Sequence, residues 1–416
     1  MIHRYAAVFL LALLVSCDSS LNVKQPVKSY FLKYYGSEGN QFAKDLIVNN
    51  DGTFFILGNS VQTSSSLTKV YLAKIDASGD VIKQIFFGGY SMDARDMELT
   101  SDGKLVVVSN RQSPTRDVLL SRYSLDLNPI DSVVLSAGGK AYSFANSVTQ
   151  LSDGGFIIEG YQGDIATQSA EMHIRVDAAL NKYAPTGGWT ETSTVTSSTV
   201  YNGIKTIQHN AVTFYMFGYN NSTYFNNLKN FWAYPIPYNG SENNNADLPI
   251  FGASTVDVIL TNALQAKVGG FLLVGIANPA GNYSLKAAIT NSYDTAFTFS
   301  SSAGIFQDKI VLDNLGSGPS PYATACSAST HNFILVNTYS TPSSNSDMLL
   351  LKVDNALSPQ WTSPVQYGGN GEDTAAAVAE LTDGHILVLG TMQLGNPASQ
   401  YKIVLMKLNA NGILSE

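Results

Sequence analysis

The stretch Leu381-Thr-Asp-Gly-His-Ile-Leu-Val-Leu-Gly390 joins an Asp-Gly pair to a short apolar run that ends on a small residue. Asp-Gly is a strong hairpin signal because both residues tolerate a positive φ angle. The apolar run, Ile386 to Leu389, is typical of a strand that is covered on both faces. This stretch decides the fold because the chain repeats it.

Similar turn-and-strand units occur along the whole chain. Asp51-Gly52, Asp102-Gly103 and Asp153-Gly154 each precede such a run, and three weaker copies lack the Asp-Gly pair. A small or polar residue closes each run, at intervals of roughly 50 to 60 residues; these residues are Gly58, Ser109, Gly160, Gly218, Gly275, Asn337 and Gly390. A period of that size predicts an array of equivalent four-stranded units.

Each clear copy also predicts a third and a fourth strand. The third strand alternates in polarity and carries a recurring basic residue, whose stem can cover apolar surface while its head reaches water; these residues are Lys74, Arg122, Arg175, Lys352 and Lys407. The fourth runs toward a glycine pair, as at Gly88-Gly89 and Gly368-Gly369. Four short antiparallel strands per repeat are typical of a β-propeller blade, so the sequence predicts an all-β fold, a seven-bladed β-propeller, over residues 28–416.

The two chain ends are predicted to close the ring. The last repeat stops at Glu416 after its third strand, and Ser29 to Gly36 has the pattern of an isolated fourth strand. Pairing the N-terminal strand with the C-terminal one would complete the seventh blade, and it would leave no open sheet edge there.

Composition excludes two classes of protein. The chain has 416 residues, of which 44% are hydrophobic and 13% charged, and its net charge is −8. The apolar content is too high for a disordered chain. An acidic protein with few Lys or Arg clusters is also a poor ligand for phosphate backbones, so we expect no nucleic-acid partner.

The first residues form a separate segment. Residues 1–16 combine a short basic start with the apolar run Ala6 to Val15, which fits a signal peptide and is too short to span a bilayer. This segment leads into Leu14-Val15-Ser16-Cys17, which resembles the bacterial lipobox. The resemblance implies cleavage before Cys17, lipidation of Cys17, and a tether over residues 17–27. The alternative is an ordinary secretory signal with an incidental cysteine.

The repeats resemble the Delta-60-type propeller repeats of exported bacterial proteins. The resemblance covers residues 29–416, is clear in blades 1, 2, 3 and 7, and is degenerate in blades 4 to 6. Together with the lipobox it is similar to Bacteroidota-like lipoproteins. It implies a protein anchored by lipid to the outer membrane, on the cell surface or the periplasmic face.

Few residues suggest chemistry. Asp93 and Asp373, with Asp45 loosely in register, could form a carboxylate ring that binds a cation in the central channel; the favoured interpretation is that each accepts backbone N–H groups at a blade corner. The histidines lie far apart and are interpreted as turn or solvent residues, and Cys326 as a buried, inert thiol. We therefore predict no cofactor and no metal site.

One aromatic stretch is a candidate binding surface. Between Phe214 and Tyr238 the chain holds many rings, most of which must pack between blades. Tyr224, Phe225 and Trp232 could instead be exposed and bind a glycan or a protein partner.

The fold alone does not select a function. Because no catalytic constellation is visible, the main prediction is a non-catalytic, lipid-anchored propeller, an accessory subunit of an outer-membrane transport or export complex, without enzymatic activity. The alternatives are a surface glycan-binding lipoprotein and a propeller enzyme, either a hydrolase or a quinone-type dehydrogenase, with its site in the channel mouth.

Overall fold

The computed structural model describes residues 29–63, 67–112, 116–136, 141–165, 168–183, 201–210, 213–221, 228–237, 250–251, 256–278, 282–290, 306–318, 322–340, 345–395 and 400–415. All regular secondary structure within these ranges is β-strand. In this part of the chain no helix is long and apolar enough to cross a membrane. Cys17 and the rest of residues 1–28 lie outside the described residues.

The strands form seven antiparallel sheets, which confirms the predicted seven-bladed β-propeller. Blade 1 contains β2 (Asn40–Val48), β3 (Phe54–Val61), β4 (Thr68–Ile75) and β5 (Val81–Phe87); blade 2 contains β6 (Met92–Leu99), β7 (Lys104–Arg111), β8 (Val118–Ser124) and β9 (Pro129–Leu135). Blade 3 contains β10 (Tyr142–Gln150), β11 (Phe156–Ile165) and β12 (Gln168–Val176); blade 4 contains β13 (Tyr201–Asn210), β14 (Thr213–Asn221), β15 (Lys229–Pro237) and β16 (Ile250–Phe251). Blade 5 contains β17 (Asp257–Gln265), β18 (Phe271–Asn278), β19 (Ser284–Thr290) and β20 (Phe306–Leu312). Blade 6 contains β21 (Ala323–Ser327), β22 (His331–Ser340), β23 (Asn345–Asp354) and β24 (Val365–Tyr367), and blade 7 contains β25 (Thr374–Glu380), β26 (Ile386–Leu394), β27 (Gln400–Leu408) and β1 (Phe31–Tyr35).

The Asp-Gly pairs form the turns that the sequence predicts. Gly52 and Gly384 both have a φ of 82°, a conformation that glycine adopts without steric cost. The aspartate side chain accepts a hydrogen bond from the N–H two residues later, as from Thr53 to Asp51 at 2.9 Å. Each turn therefore starts the second strand of its blade at a defined residue.

The core lies between the blades. Among the described residues, seven clusters of buried apolar side chains each join two neighbouring blades. One of them joins blade 7 to blade 1, with Leu387 and Ile403 packed near Phe54 and Ile56. A second strand contributes to the clusters on both of its faces, which is why its apolar run is unbroken. The ring is thus closed by packing as well as by hydrogen bonds.

Polar side chains also connect neighbouring blades near the axis. The residue that follows the closing residue of a second strand bonds to the backbone of the next blade's first strand. Asn110, for example, donates to Ala145 O at 2.9 Å and accepts from Ala145 N at 2.8 Å. The other examples are Asn59 to Ala94 and Thr391 to Ala43. Asn337 bonds to Ala375 in the same way, because Val336 and not Asn337 takes the closing position in the register of blade 6. Buried backbone groups that face a neighbouring blade are satisfied in this way.

Two of the recurring basic residues of the third strands contact the neighbouring blade. Lys74 of blade 1 contacts Asp126 of blade 2 at 3.1 Å, and Arg122 of blade 2 donates to Ala178 O of blade 3 at 2.7 Å. Their heads therefore bridge blades, a role that the sequence pattern did not reveal.

The N-terminal strand completes blade 7, as predicted. β1 pairs with β27 in a register that sets Phe31 opposite Lys407 and Tyr35 opposite Ile403. Tyr35 is also bonded to blade 1, because its hydroxyl donates to Gly79 O at 2.8 Å. One short strand thus joins the last blade to the first.

The first strands of the blades, here called the inner strands, surround the axis. They begin at the face where the second and third strands are connected, and we call it the loop face. They end at the opposite face, the turn face, where the Asp-Gly turns lie.

Candidate active site in the axial channel

A cavity of about 830 Å³ opens along the axis, and we call it the axial cavity. Its lining comes from all seven blades and mainly from the first halves of the inner strands, so it lies toward the loop face. The polar and charged lining includes Lys44, Asp45, Arg95, Asp96, Asn146, Asn202, Lys205, Tyr219, Tyr322, Glu372 and Tyr401. The charged groups come from blades 1, 2, 4 and 7, while the lining from blades 5 and 6 is uncharged.

β-Bulges determine which side chains reach this cavity. In blades 1 to 5 and in blade 7 the inner strand contains an extra residue next to the residue that pairs with the closing position, as at Lys44 and Arg95. A bulge sets two consecutive residues opposite one residue of the partner strand and re-aims side chains. Accordingly, Lys44 and Asp45 both line the cavity, and so do Arg95 and Asp96.

Two carboxyl groups and one lysine, Asp45, Asp96 and Lys205, meet in the lining of this cavity. Lys205 Nζ lies 2.7 Å from Asp96 Oδ2 and donates to Val148 O at 3.1 Å. The side chains of Asp96 and Lys205 keep 17% and 28% of their surface exposed, and this surface faces the cavity. Asp45 accepts hydrogen bonds from the backbone of its own blade and of blade 2, through Leu46 N and Met97 N.

Burial changes the acidity of these groups. Burial, followed by the charge of Asp96, raises the pKa of Asp45 to about 7, against the opposing effect of its backbone hydrogen bonds. Burial likewise raises the pKa of Glu98 to about 7. Burial lowers the pKa of Lys205, but Asp96 and Glu98 together outweigh it and hold that pKa above its usual value. Near neutral pH Asp45 can therefore both release and accept a proton, beside a fixed ammonium group.

Two cationic residues each precede one of these aspartates by one residue, which places them nearer the loop face. Lys44 and Arg95 share the carboxylate of Asp93, at 3.1 Å each. Arg95 also donates to Ala145 O and to Asn146 Oδ1, at 3.2 and 2.7 Å. Burial raises the pKa of Asp93, but Lys44 and Arg95 outweigh burial and keep it below its usual value. The two cations thus share the single carboxylate of Asp93.

Aromatic rings border the same level. Phe42 and Tyr401 have ring centroids 5.2 Å apart, and the Tyr401 hydroxyl donates to Glu372 at 2.8 Å. Across the cavity, the Tyr219 hydroxyl accepts a hydrogen bond from Asn202 at 2.8 Å. Aromatic faces combined with amide and hydroxyl groups suit the apolar and polar faces of a sugar.

The predicted aspartates occupy different positions. Asp373 accepts from Gly369 N at 2.7 Å and Gln393 N at 3.0 Å, which is the corner role that the sequence favoured. Asp93 directly precedes Ala94, which pairs with the closing residue Ser109. Asp373 lies two residues before Ala375, which pairs with the closing residue Gly390, so the two aspartates are not equivalent. The true counterpart of Asp45 is Asp96, which the sequence analysis missed. Their spacing equals the spacing of Gly58 and Ser109, and this could have identified the pair.

The other predicted site residues are placed as follows. Tyr224 and Phe225 lie outside the described residues. Trp232 is 1% exposed and packs with Leu151, Ile157, Phe214 and Met216 between blades 3 and 4. A β-carbon at Gly218 would collide with its ring, so the closing glycine makes room for the indole. This burial removes Trp232 from the exposed surface on which the sequence analysis placed it.

A second, smaller cavity of about 500 Å³ lies at the turn face, lined in part by Val48, Cys326 and Glu380. Burial, followed by the charge of Glu380, raises the pKa of Cys326 to about 12, so its thiol is protonated at neutral pH. His331 Nε2 lies 3.1 Å from Glu380 Oε1 nearby. The described residues contain no group of three or more His, Cys, Asp or Glu side chains arranged to hold a metal ion.

Comparison with known proteins supports the fold. No protein-family model matches the sequence, and no functionally described protein matches it. Many solved structures do match: 199 chains. An ulvan lyase, solved with a bound glucuronyl–sulforhamnose oligosaccharide, is 8% identical with a TM-score of 0.54, over 92% of this chain and 98% of that one. The polysaccharide lyase Uly1 is 8% identical with a TM-score of 0.50, over 90% and 91%. Prolyl oligopeptidase B from Galerina marginata is 9% identical with a TM-score of 0.42, and this chain spans 46% of its length.

These comparisons correct two predictions from the sequence. The prediction of a non-catalytic accessory subunit of an outer-membrane complex is wrong, and so is the prediction of no enzymatic activity, because the two similar propellers with TM-scores of 0.50 and 0.54 are polysaccharide lyases. The alternative of a propeller enzyme agrees with them better. At 8% identity, these comparisons establish the shared fold alone.

Proposed function

We propose that the protein is an enzyme that cleaves an acidic polysaccharide inside the axial cavity. One observation carries the proposal: a single cavity holds Asp45, with a pKa of about 7, and the cations Lys44 and Arg95. A titratable carboxyl group close to the working pH is suited to proton transfer. Fixed cations beside it can neutralise the carboxylate of a uronic acid.

The reaction that uses all three groups is β-elimination. Lys44 and Arg95 hold the uronate carboxylate and stabilise the negative charge that develops on it. Ionised Asp45 takes the proton from the adjacent carbon, and the freed electron pair forms a double bond as the next carbon loses its glycosidic oxygen. That oxygen leaves with the bonding pair and receives the proton from Asp45. The carboxylate is regenerated, and no water is consumed.

Hydrolysis is the second candidate, and the pairing of Asp45 with Asp96 favours it. Two carboxyl groups in different environments can divide the work of glycoside cleavage. Protonated Asp45 would donate to the glycosidic oxygen. Asp96, held as the partner of Lys205 at 2.7 Å, would act on the sugar carbon or on a water molecule.

Incubation with polygalacturonate, alginate, hyaluronan and ulvan tests both reactions, with a neutral glucan as the substrate control. Elimination is expected to produce reducing ends together with the ultraviolet absorbance of an unsaturated uronate, whereas hydrolysis produces reducing ends alone. Asp45→Asn is expected to abolish cleavage. Asp347→Asn, a change outside the axial cavity, serves as the matched control. If the folded protein cleaves none of the four acidic polymers, the proposal is wrong.

We also propose that the enzyme works outside the cytoplasm, anchored by lipid at Cys17 to the outer membrane. The support is the lipobox-like sequence that ends at Cys17 and the polar segment that follows it. Cells given a labelled fatty acid are expected to label the wild-type protein and not the Cys17→Ala variant. Label on the variant would contradict the anchor.

A further inference from the structure

The axial cavity is a well and not a groove. Residues from every blade form its wall, from Phe42 of blade 1 through Arg95, Asn146, Lys205, Thr261 and Thr324 to Ala375 of blade 7. A groove that accommodates the middle of a polymer needs two open sides, so that the chain can enter on one side and leave on the other. The described wall is continuous around the axis and leaves only the loop face for entry.

The proton-transfer group lies deep in this well. Asp45 comes five residues after Asn40, where the inner strand begins, which places it roughly 15 Å along the strand at about 3.3 Å per residue. The Phe42 and Tyr401 rings and the cations Lys44 and Arg95 lie on the way. A sugar must pass these side chains before its carbon atoms reach the Asp45 carboxyl group.

The opposite face offers no exit within the described residues. The cavity at the turn face shares no lining residue with the axial cavity. Between the two cavities, neighbouring inner strands are bonded side by side, since Glu98 accepts from Gln150 N at 2.7 Å and the Thr149 hydroxyl donates to Thr206 O at 2.6 Å. Lys205 of blade 4 also reaches past blade 3 to Asp96 of blade 2 at 2.7 Å. Within the described residues the axial cavity is therefore separate from the cavity at the turn face, and a polysaccharide strand enters it from the loop face.

We propose that the enzyme attacks chain ends and releases short products, an inference that rests on the proposed function. To bring an internal sugar to Asp45, both flanking parts of the polymer would have to leave side by side through the same mouth. A terminal unit needs only one strand in the well. The geometry thus selects the end of an acidic chain as the substrate, and the depth of the well limits the product to a few sugar units.

The test uses whichever of polygalacturonate, alginate, hyaluronan or ulvan the protein cleaves fastest. It compares the fall in viscosity with the release of short products. An enzyme known to cut that polymer internally is the control. Attack at chain ends is expected to release mono- to oligosaccharides from the first minutes, while viscosity falls only in proportion to the mass released. Polymers with chemically blocked ends are expected to be cleaved at least tenfold more slowly.

Two results would overturn the inference in distinguishable ways. A rapid fall in viscosity with few new ends, or equal rates on blocked and free polymers, means internal cleavage, which refutes attack at chain ends and leaves the proposed function standing. Absence of cleavage of every acidic polymer refutes the proposed function and this inference with it.

Discussion

Tyr35→Ala should weaken the closure of the ring, whereas Tyr34→Ala should not. The two residues are neighbours on β1 and face opposite ways, since Tyr35 is 4% exposed and Tyr34 is 46% exposed. Tyr35 belongs to the apolar cluster that joins blades 7 and 1, and its hydroxyl donates to Gly79 O. Tyr34→Ala is therefore a control of matched chemistry on the same strand.

The expected loss follows from burial. A buried aromatic side chain removes on the order of 150 Å² from water, worth about 4 kcal/mol at about 25 cal/mol per Å². The lost hydrogen bond adds about 1 kcal/mol. We expect Tyr35→Ala to lower the free energy of unfolding by about 3–5 kcal/mol, the usual range for a buried aromatic residue. Tyr34→Ala should change it by less than about 1 kcal/mol.

Urea unfolding followed by circular dichroism measures both variants. The expected result is a lower midpoint for Tyr35→Ala, with a slope similar to that of the wild type. A chain without residues 29–36 should lose at least as much stability, because it lacks the whole strand. If both tyrosine variants unfold at the same urea concentration, or if the shortened chain unfolds like the full one, β1 does not close the ring.

Three further results are expected. Lys205→Met removes a charge that lowers the pKa of both Asp45 and Glu98, so the pH profile of kcat/KM should move to higher pH; an unchanged profile would separate Lys205 from the proton-transfer group. Because Asp45 and Glu98 keep their protons to about pH 7 when folded but lose them near pH 4 when unfolded, their contribution to stability is full below about pH 4 and is lost as the pH rises to about 7. Urea midpoints across that range should decline, and Asp45→Asn should flatten the decline; a midpoint that rises steadily to neutral pH would contradict the assignment. Asn110→Ala leaves the buried Ala145 N without its partner and removes one of two donors to Ala145 O, so it should reduce the free energy of unfolding by about 1–3 kcal/mol, whereas the exposed Asn50→Ala should have little effect.

Much of the architecture was predictable because its determinants are local. The Asp-Gly pairs require a positive φ, the unbroken apolar runs require cover on both faces, and the repeat period matches a blade. These features give seven units even where blades 4 to 6 have lost the Asp-Gly pair. The shared seventh blade was also predictable, because the last repeat lacks one strand and the segment Ser29 to Gly36 supplies one.

The site was harder to predict because its geometry depends on single-residue insertions. A bulge at Lys44 or Arg95 changes which side chains face the axis, yet it leaves no mark in the hydrophobic pattern. Asp93 therefore looked equivalent to Asp373, while the Asp45 and Asp96 pair went unnoticed. Lys205 comes from blade 4, which lacks the Asp-Gly pair, and it contacts Asp96 of blade 2 because the blades are arranged in a ring. That contact cannot be read from the sequence.

The extra residue in each of six inner strands changes which side chains line the axial cavity. In blades 1, 2, 3 and 5 the added residue is charged or polar and lines the axial cavity, whereas Ile204 of blade 4 and Ala376 of blade 7 also pack against the apolar clusters. Blade 6 illustrates the opposite case, since its inner strand pairs without any insertion and Thr324 is the residue it places at this level. Insertion or deletion of one residue at such a position would change which side chains line the axial cavity, and so which ligands it binds, without changing the seven-bladed fold.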